Sequence, residues 1–595
     1  MSQTQTPQGC SFLLTEVGAE TILTPERFTE QQREFARTAN AFMEKEVLPI
    51  AEELEHVEQG KMPIVLRKAA DLGLLMIDIP EEYGGLQVDK TTSMIVTEQL
   101  AQYGSFATSY GAHVGIGTLP ILYFGTKEQK ARWLPKLATG ELLAAYALTE
   151  PGSGSDALAA KTKAVLSEDG EHYILNGTKM WITNAGFADI FTVFCQVDGS
   201  KFTAFVVEKD REGVSTGAEE RKMGLKGSST RLLILENVKV PKANLLGEVG
   251  KGHKIAFNIL NIGRFKLGVG VLGGAKRALH ITAQYANERV AFGQPIGSFG
   301  AIQAKFGEMV TRMYALESMS YRVAGYMDQS LEQIDATADD YSERSMEAIE
   351  EFAVEDSIMK VYGSEVAQYV ADECVQIHGG MGYSAEYEIE RTFRDVRINR
   401  IFEGTNEINR MLIPGMILKR AMKGKLNLFG LIQRVEEDLS QTAQRLPPGA
   451  QEPGLAMERF MVEQGKKVFA YAANQAIQKH MADLRDQQEL LCMMADMIME
   501  LYAIDSAVTR TLQIIADRGE EGGKLAHAAA RLAVASGFVK TRQLAEELLC
   551  HIAKGDRLTP HLDAIAKLTF VPRVDTITLR RQLAQAVLER GKYPL

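Results

Sequence analysis

A mainly α-helical chain with a central β-domain and an extra helical domain at its C-terminal end is what this sequence predicts. Two observations carry that prediction. β-branched and aromatic runs, such as those at 191–197 and 202–207, cluster between about residues 146 and 252, whereas apolar residues on either side recur at helical spacing. Beyond the β-region, Glu308-Met309 followed by Tyr314-Ala315-Leu316-Glu317-Ser318 returns 188 residues later as Asp496-Met497 followed by Tyr502-Ala503-Ile504-Asp505-Ser506. The boundaries that follow are a helical domain at 1–145, a β-domain at 146–252, a helical bundle at 253–424 and a C-terminal helical domain at 425–595. The last reads as a degenerate copy of the bundle. At about 150 residues per domain, three or four units are expected.

The elements follow in order. Phe28, Phe35, Ala39, Phe42 and Met43 mark one side of a helix over about 28–47. Further helices run to about residue 140, punctuated by Pro80, the Tyr83-Gly84-Gly85 turn and a helix start at Gly125-Thr126-Lys127-Glu128. Asp198-Gly199 between two strand-like runs signals a hairpin, and 232–235 and 238–240 read as further short strands. Helical periodicity returns from Ile255 to about Arg420. The acidic stretch 332–356, ending in Glu355 and Asp356, reads as a solvated helix face or loop rather than a metal site. A Pro/Gly-rich linker is expected at 445–454. Met493, Met494, Met497 and Met499 read as core filler, and the apolar run 426–432 as a segment buried against protein, with membrane association peripheral at most.

Composition removes several function classes. Hydrophobic residues make up 45% and charged residues 24%, a globular balance, and the net charge of −11 argues against nucleic-acid binding. Five scattered cysteines signal neither a disulfide framework nor a metal site. No apolar run approaches the roughly 20 residues that span a bilayer. The first residues resemble neither a secretory signal nor a transit peptide, so a bacterial-type cytoplasm is the expected address.

Five segments offer chemistry. Tyr146-Ala147-Leu148-Thr149-Glu150-Pro151-Gly152-Ser153-Gly154-Ser155-Asp156 offers hydroxyls and close backbone approach, or is simply a loop. Trp181-Ile182-Thr183 sets an aromatic ring beside a hydroxyl, or is a core Trp at a turn. Arg289-Val290-Ala291-Phe292-Gly293 ends a helix with a cation, whose plain role is to meet the helix dipole. Gln376-Ile377-His378-Gly379-Gly380 lets backbone approach a phosphate, or only ends a helix. Glu403-Gly404-Thr405-Asn406-Glu407 places a carboxylate just before a helix N-cap.

The order and spacing of these five segments resemble the acyl-CoA dehydrogenase family, colinearly over about residues 25–420. Lys222-Met223-Gly224-Leu225-Lys226-Gly227 and Asn244-Leu245-Leu246-Gly247-Glu248 support the likeness. The C-terminal extension and Leu260-Asn261-Ile262-Gly263-Arg264-Phe265 resemble the very-long-chain subgroup. The resemblance implies a helical domain, a β-domain and a four-helix bundle, with FAD between the last two. It implies that Tyr146, Leu148, Thr149, Gly154, Ser155, Trp181, Ile182 and Thr183 line the flavin. It further implies that Arg289, Phe292, Gln376, Gly379 and Gly380 reach the cofactor from a neighbouring subunit, and that Thr405 and Glu407 meet its phosphates at a helix N-terminus. Ser155, Asn261, Arg264 and Gly404 would contact the acyl-CoA.

Glu403 is then the base that takes the α-proton, with its own N–H and a ribityl hydroxyl polarising the thioester carbonyl. A desolvated pocket should raise its pKa. Long-chain acyl-CoA would become trans-2-enoyl-CoA, the first step of fatty-acid β-oxidation, with an electron-transferring flavoprotein as acceptor and a homodimer as the assembly. Two departures stand out: Asn261 replaces an acidic residue common in the family, and Gly300 replaces a common Gln, leaving Gln303 close by for that cofactor contact. An acyl-CoA oxidase and a non-catalytic relative share the architecture. The intact Glu403 weighs against the second.

Overall fold

The computed structural model describes residues 7–335, 338, 340–440, 455–570 and 573–595. The linker expected at 445–454 lies outside the described residues. Helix α1 (Glu30–Phe42) opens on a capping box in which Thr29 and Gln32 exchange side-chain and backbone hydrogen bonds, and it buries Ala39 and Phe42. After it, α2 (Lys90–Leu100), capped by Asp89, and α3 (Gly104–Gly111) supply two walls of the site.

Strands β1 (Ala144–Ala147), β2 (Lys163–Leu166), β3 (His172–Thr183), β4 (Ile190–Val197), β5 (Lys201–Glu208), β6 (Val214–Thr216), β7 (Thr230–Pro241) and β8 (Leu245–Leu246) form one sheet. Its order is β6-β7-β3-β2-β4-β5-β8, with β1 parallel to β4 on the edge that β2 also uses. The β4–β5 hairpin turns at Asp198-Gly199, both at positive φ. The two short strands expected at 232–235 and 238–240 are a single strand, β7. Glu236-Asn237 does not break it, because the register shift between Leu175 and Gly177 absorbs the pair, and Asn237 N–H donates to Asn176 Oδ1 at 2.8 Å.

The bundle is built on α4 (Gly252–Glu288), α5 (Gly300–Leu331), α6 (Ala353–His378), α7 (Glu388–Val396) and α8 (Asn406–Met422). Helix α4 contains an 18-residue window of mean hydropathy 1.3, apolar enough by length and composition to cross a bilayer; 67% of that window is buried inside the protein. It approaches α6 closely: a Cβ on Gly363 would sit 2.8 Å from the Gly268 carbonyl oxygen. The acidic stretch does not end as a solvated face. Glu355 and Asp356 are buried in α6, where Glu355 Oε1 accepts from Cys10 N–H at 2.5 Å. Residues on the inward side of a long central helix have no water to face, whatever the charge of their neighbours.

Helices α9 (Leu428–Ser440), α10 (Ala456–His480), α11 (Gln488–Gly522), α12 (Lys524–Ile552) and α13 (Thr576–Arg590) form the C-terminal domain. Leu426, Leu428, Leu431 and Ile432 are buried, although Phe429 is exposed. Met494, Met497 and Met499 fill the core and Met493 is half-buried. The N-terminal segment clasps this domain: Ile22 exchanges both backbone hydrogen bonds with the Gln513 amide, at 2.8 and 3.0 Å.

Candidate active site

Glu403 and Gly404 are consecutive residues in the left-handed region, at φ 57° and 80°. A non-glycine residue there is strained by about 1–3 kcal/mol, so its surroundings must hold it. Three side chains do. Arg264 Nε on α4 donates to the Glu403 carbonyl at 3.2 Å, and Asn409 Nδ2 to the Gly404 and Thr405 carbonyls at 2.9 and 3.1 Å. Lys360 Nζ on α6 donates to the Gly404 carbonyl at 2.6 Å. The Thr405 hydroxyl caps α8 by accepting from Ile408 N–H at 3.3 Å. None of the residues that pin the turn from outside it, except Arg264, stood out in the sequence. The available signal for Lys360 was a lone cation inside the apolar helical run Ile358-Met359-Lys360-Val361.

Held this way, the Glu403 carboxylate faces Gly263 on α4. A Cβ at Gly263 would lie 2.8 Å from Glu403 Oε2, so the glycine makes the space that the carboxylate fills. Oε2 is shut off from solvent and has no hydrogen-bond partner among the described residues. Burial pushes the carboxyl up to about 7, against the opposing pull of Arg264 and Lys360. An unpaired carboxylate oxygen poised near neutrality is the equipment of a general base.

Glu403 also lines a cavity that runs with Phe402 and Thr183 along α4 through Leu267 and Gly270 to Gly274, walled by α2, α3 and α7. Gly263 to Gly274 is about 16 Å of helix, the span of roughly a dozen methylenes at ordinary C–C bond lengths. Asn261 and Arg264 are buried beside it, with Arg264 Nη1 donating to Asn261 Oδ1 at 2.9 Å.

The β-domain presents a second surface to this cavity. Trp181 lies in the register break between Lys179 and Ile182, at φ 57°, and is 59% exposed. It is therefore neither a core residue nor part of a simple turn. Ile182 points inward and is buried, and Thr183 lines the cavity with Glu403. Met180 N–H donates to the Thr149 carbonyl at 2.8 Å. Fully buried Lys179 bonds the Leu148 carbonyl at 3.1 Å and Glu150 at 2.7 Å, which fixes the 146–155 loop against β3. Tyr146 and Leu148 are buried at the base of that loop, while Gly154 and Ser155 stand exposed on it. An uncovered indole, a free hydroxyl and a glycine loop on one surface fit a planar aromatic cofactor with a polar tail.

The remaining predicted residues lie elsewhere. Arg289 caps the far end of α4, about 39 Å of helix from Gly263. Phe292 follows in a two-residue hairpin at φ 51° and is 96% exposed. Gln303 is half-buried near the start of α5 and donates to the Gly297 carbonyl at 3.3 Å. Gln376, Gly379 and Gly380 are exposed at the C-terminal end of α6, about 24 Å of helix beyond Lys360. Glu407 is exposed in the first turn of α8. One chain thus assembles the base, the cavity and the indole surface, and carries Arg289, Phe292 and the 376–380 segment at the opposite ends of the same two helices.

Known proteins are similar to this chain over nearly its whole length. Models described as the acyl-CoA dehydrogenase N-terminal, middle and C-terminal domains match residues 29–141, 145–238 and 250–418, and a further acyl-CoA dehydrogenase C-terminal domain matches 464–567. A probable acyl-CoA dehydrogenase of Bacillus subtilis is 49% identical over 591 residues, covering 98% of each chain. The mitochondrial very long-chain specific acyl-CoA dehydrogenase of Macaca fascicularis is 37% identical over 82% of this chain and 75% of its own. The crystal structure of an acyl-CoA dehydrogenase complexed with FAD from Bacillus anthracis superimposes with a TM-score of 0.97 at 48% identity, covering 99% of this chain and 100% of that one. Matched by these domain models over most of its length and by relatives at 37–49% identity, the chain belongs to the acyl-CoA dehydrogenase family, whose members are flavin-dependent oxidoreductases.

Proposed function

We propose that this enzyme dehydrogenates long-chain fatty acyl-CoA thioesters between C2 and C3 to give trans-2-enoyl-CoA, as the first step of fatty-acid β-oxidation. FAD is its cofactor, an electron-transferring flavoprotein its electron acceptor and a homodimer its working form. The observation that carries the reading is the unpartnered, buried Oε2 of Glu403, a residue that lines one cavity together with Thr183.

The residues divide the work as follows. Trp181, Thr183 and the 146–155 loop would hold the flavin ring, and the N-terminus of α8 at Thr405 would receive the cofactor's phosphates. Bound FAD supplies the two-electron acceptor for the β-hydrogen. Glu403 Oε2 takes the α-proton, a step that needs the carboxylate ionised and the α-carbon within reach of it. Its backbone N–H, aimed by the left-handed turn, polarises the thioester carbonyl as negative charge develops there. Arg264 and Asn261 border the entrance to the turn and keep it rigid. The cavity beyond Gly263 receives the alkyl chain and excludes water from the base. Its depth supports a long chain.

Anaerobic mixing of the flavin-loaded enzyme with a series of acyl-CoAs, from short to very long, tests this reading by bleaching of the flavin. Bleaching fastest with chains of about twelve carbons or more is expected from the cavity depth. Equal rates across the series would contradict the chain-length assignment, and no bleaching with any thioester would contradict the activity. Reoxidation by an artificial one-electron acceptor rather than by oxygen separates a dehydrogenase from an oxidase.

A further inference from the structure

The base turn rests on a lysine to which the dehydrogenation above gives no role. Lys360 is fully buried, and both acceptors of its ammonium are neutral: the Gly404 carbonyl at 2.6 Å and Asn406 Oδ1 at 2.8 Å. Asn406 is fixed in turn, its Nδ2 donating to Ser364 Oγ and Glu365 Oε1 at 3.1 Å each. A buried ammonium with only neutral acceptors is costly unless an anion shares its low-dielectric surroundings. The nearest anion along the chain is Glu403, one residue before the carbonyl that Lys360 holds.

We propose that Lys360 is a positioning residue for the base: it clamps the left-handed Glu403-Gly404 turn through the Gly404 carbonyl and, with Arg264, lends the carboxylate the positive charge that keeps it able to accept a proton. The proposal rests on Glu403 being the base. The groups that bear on Glu403 are few. Arg264 on α4 and Lys360 on α6 favour its ionised form, and buried Tyr146 on β1 feels its charge. Asp356, one turn before Lys360, is pushed far up by burial and by Glu355, with Arg264 opposing. Burial thus favours the uncharged form of Asp356, which weakens its competition with Glu403 for the Arg264 charge. Burial pulls Lys360 down to about 7, opposed by Glu403, Glu407 and Glu365. Base and lysine titrate as a pair, each stabilising the other's charged form.

The test is the pH dependence of the second-order rate of anaerobic flavin reduction by a long-chain acyl-CoA, in Lys360→Met, Lys360→Gln and Lys360→Arg. Removing the positive neighbour should raise the acid limb by a unit or more in both neutral variants. Reduction at pH 7 then slows about fivefold or more through the limb alone, and Lys360→Met, which also loses the hydrogen bond to Gly404, slows further at every pH. Lys360→Arg, which keeps the charge, should hold the limb near its original place. If Lys360→Met does not fold, Lys360→Gln, which can still donate a hydrogen bond, decides alone. An unmoved limb, even with a uniform slowing at every pH, would overturn the proposal and leave Lys360 a structural residue. Glu403→Gln serves as the control for the base itself: undiminished reduction there would refute the base assignment, whatever the lysine variants do.

Discussion

Arg510 on α11 pairs with Glu317 on α5 at 2.7 Å, with both side chains buried. Shifted by 188 residues, Glu317 falls on Asp505 and Arg322 on Arg510, and Arg322 pairs with Asp505 at 2.5 Å. The exchange extends to the rings: Arg510 stacks over Tyr314 at 4.5 Å and Arg322 over Tyr502 at 5.3 Å, and Tyr502 is the counterpart of Tyr314. Reciprocal contacts of this kind are what a two-fold axis between two copies of one surface produces. Here the axis lies inside a single chain, between the bundle and its degenerate repeat.

The α5 face that pairs with α11 is therefore covered within one chain, which supports the homodimer proposed above. Light scattering on the full chain should give a homodimer, and a tetramer would contradict this reading. Glu317→Gln removes one of the two carboxylates on Arg510, which keeps Glu26 at 2.6 Å, and should cost about 1.5–3 kcal/mol of stability in chemical denaturation.

Glu403→Gln keeps the shape of the base and removes its ability to take a proton. General-base loss typically costs ~10²–10⁴-fold, and the upper end is expected for an acid as weak as a thioester α-carbon. The variant should remain yellow and still bind acyl-CoA. Stopped-flow reduction within about tenfold of wild type would assign the proton to another residue.

The wild-type pH profile follows from the same carboxyl. Burial pushes Glu403 up to about 7, and only its ionised form serves as base. The second-order rate of flavin reduction should therefore fall as the pH drops through about 7, approaching a tenfold loss per unit below it. A rate constant unchanged down to pH 5 would show the base to be unperturbed.

Gly270 lines the middle of the cavity, and a Cβ there would meet Thr97 Cγ2 at 3.5 Å and Ala101 Cβ at 3.7 Å. Those are ordinary contacts, so a larger side chain is accepted by filling the cavity. Gly270→Leu should raise KM for long chains by roughly tenfold or more while leaving short-chain rates within about threefold, since it shortens the cavity without touching the base. The chain-length series of kcat/KM measures it.

How legible all this was depended on distance along the chain. The N-cap at Thr405 was readable because hydroxyl and helix start sit within three residues, whereas the role of Glu403 came only from the family resemblance of the five segments together. The hairpin at Asp198-Gly199 was readable for the same reason. What could not be read came from contacts between distant segments. Lys360 shows locally only as a cation in an apolar run, and its role stays hidden because its acceptors lie 44 and 46 residues away. Glu355 and Asp356 look like the exposed acids before them, and only the packing of α6 on α4 and on the Cys10 segment turns them inward. Trp181 left two readings open, a ring for a cofactor and a core residue at a turn, because its exposure comes from a bulge in β3, which a single strand's composition does not announce.

The 39 Å of α4 between Gly263 and Arg289 has a genetic consequence. A chain that cannot abstract the proton, Glu403→Gln, still carries an intact far end. A chain altered at Arg289 and Phe292 still carries an intact base. Where each cofactor is shared between two copies, co-expression of the two defective chains gives mixed dimers in which one site draws both good halves and the other both bad ones. With random pairing, about a quarter of all sites should be whole again. Activity rescued by mixing two damaged genes, at that level, would mark the site as common property of the pair; failure to rescue would confine it to one chain.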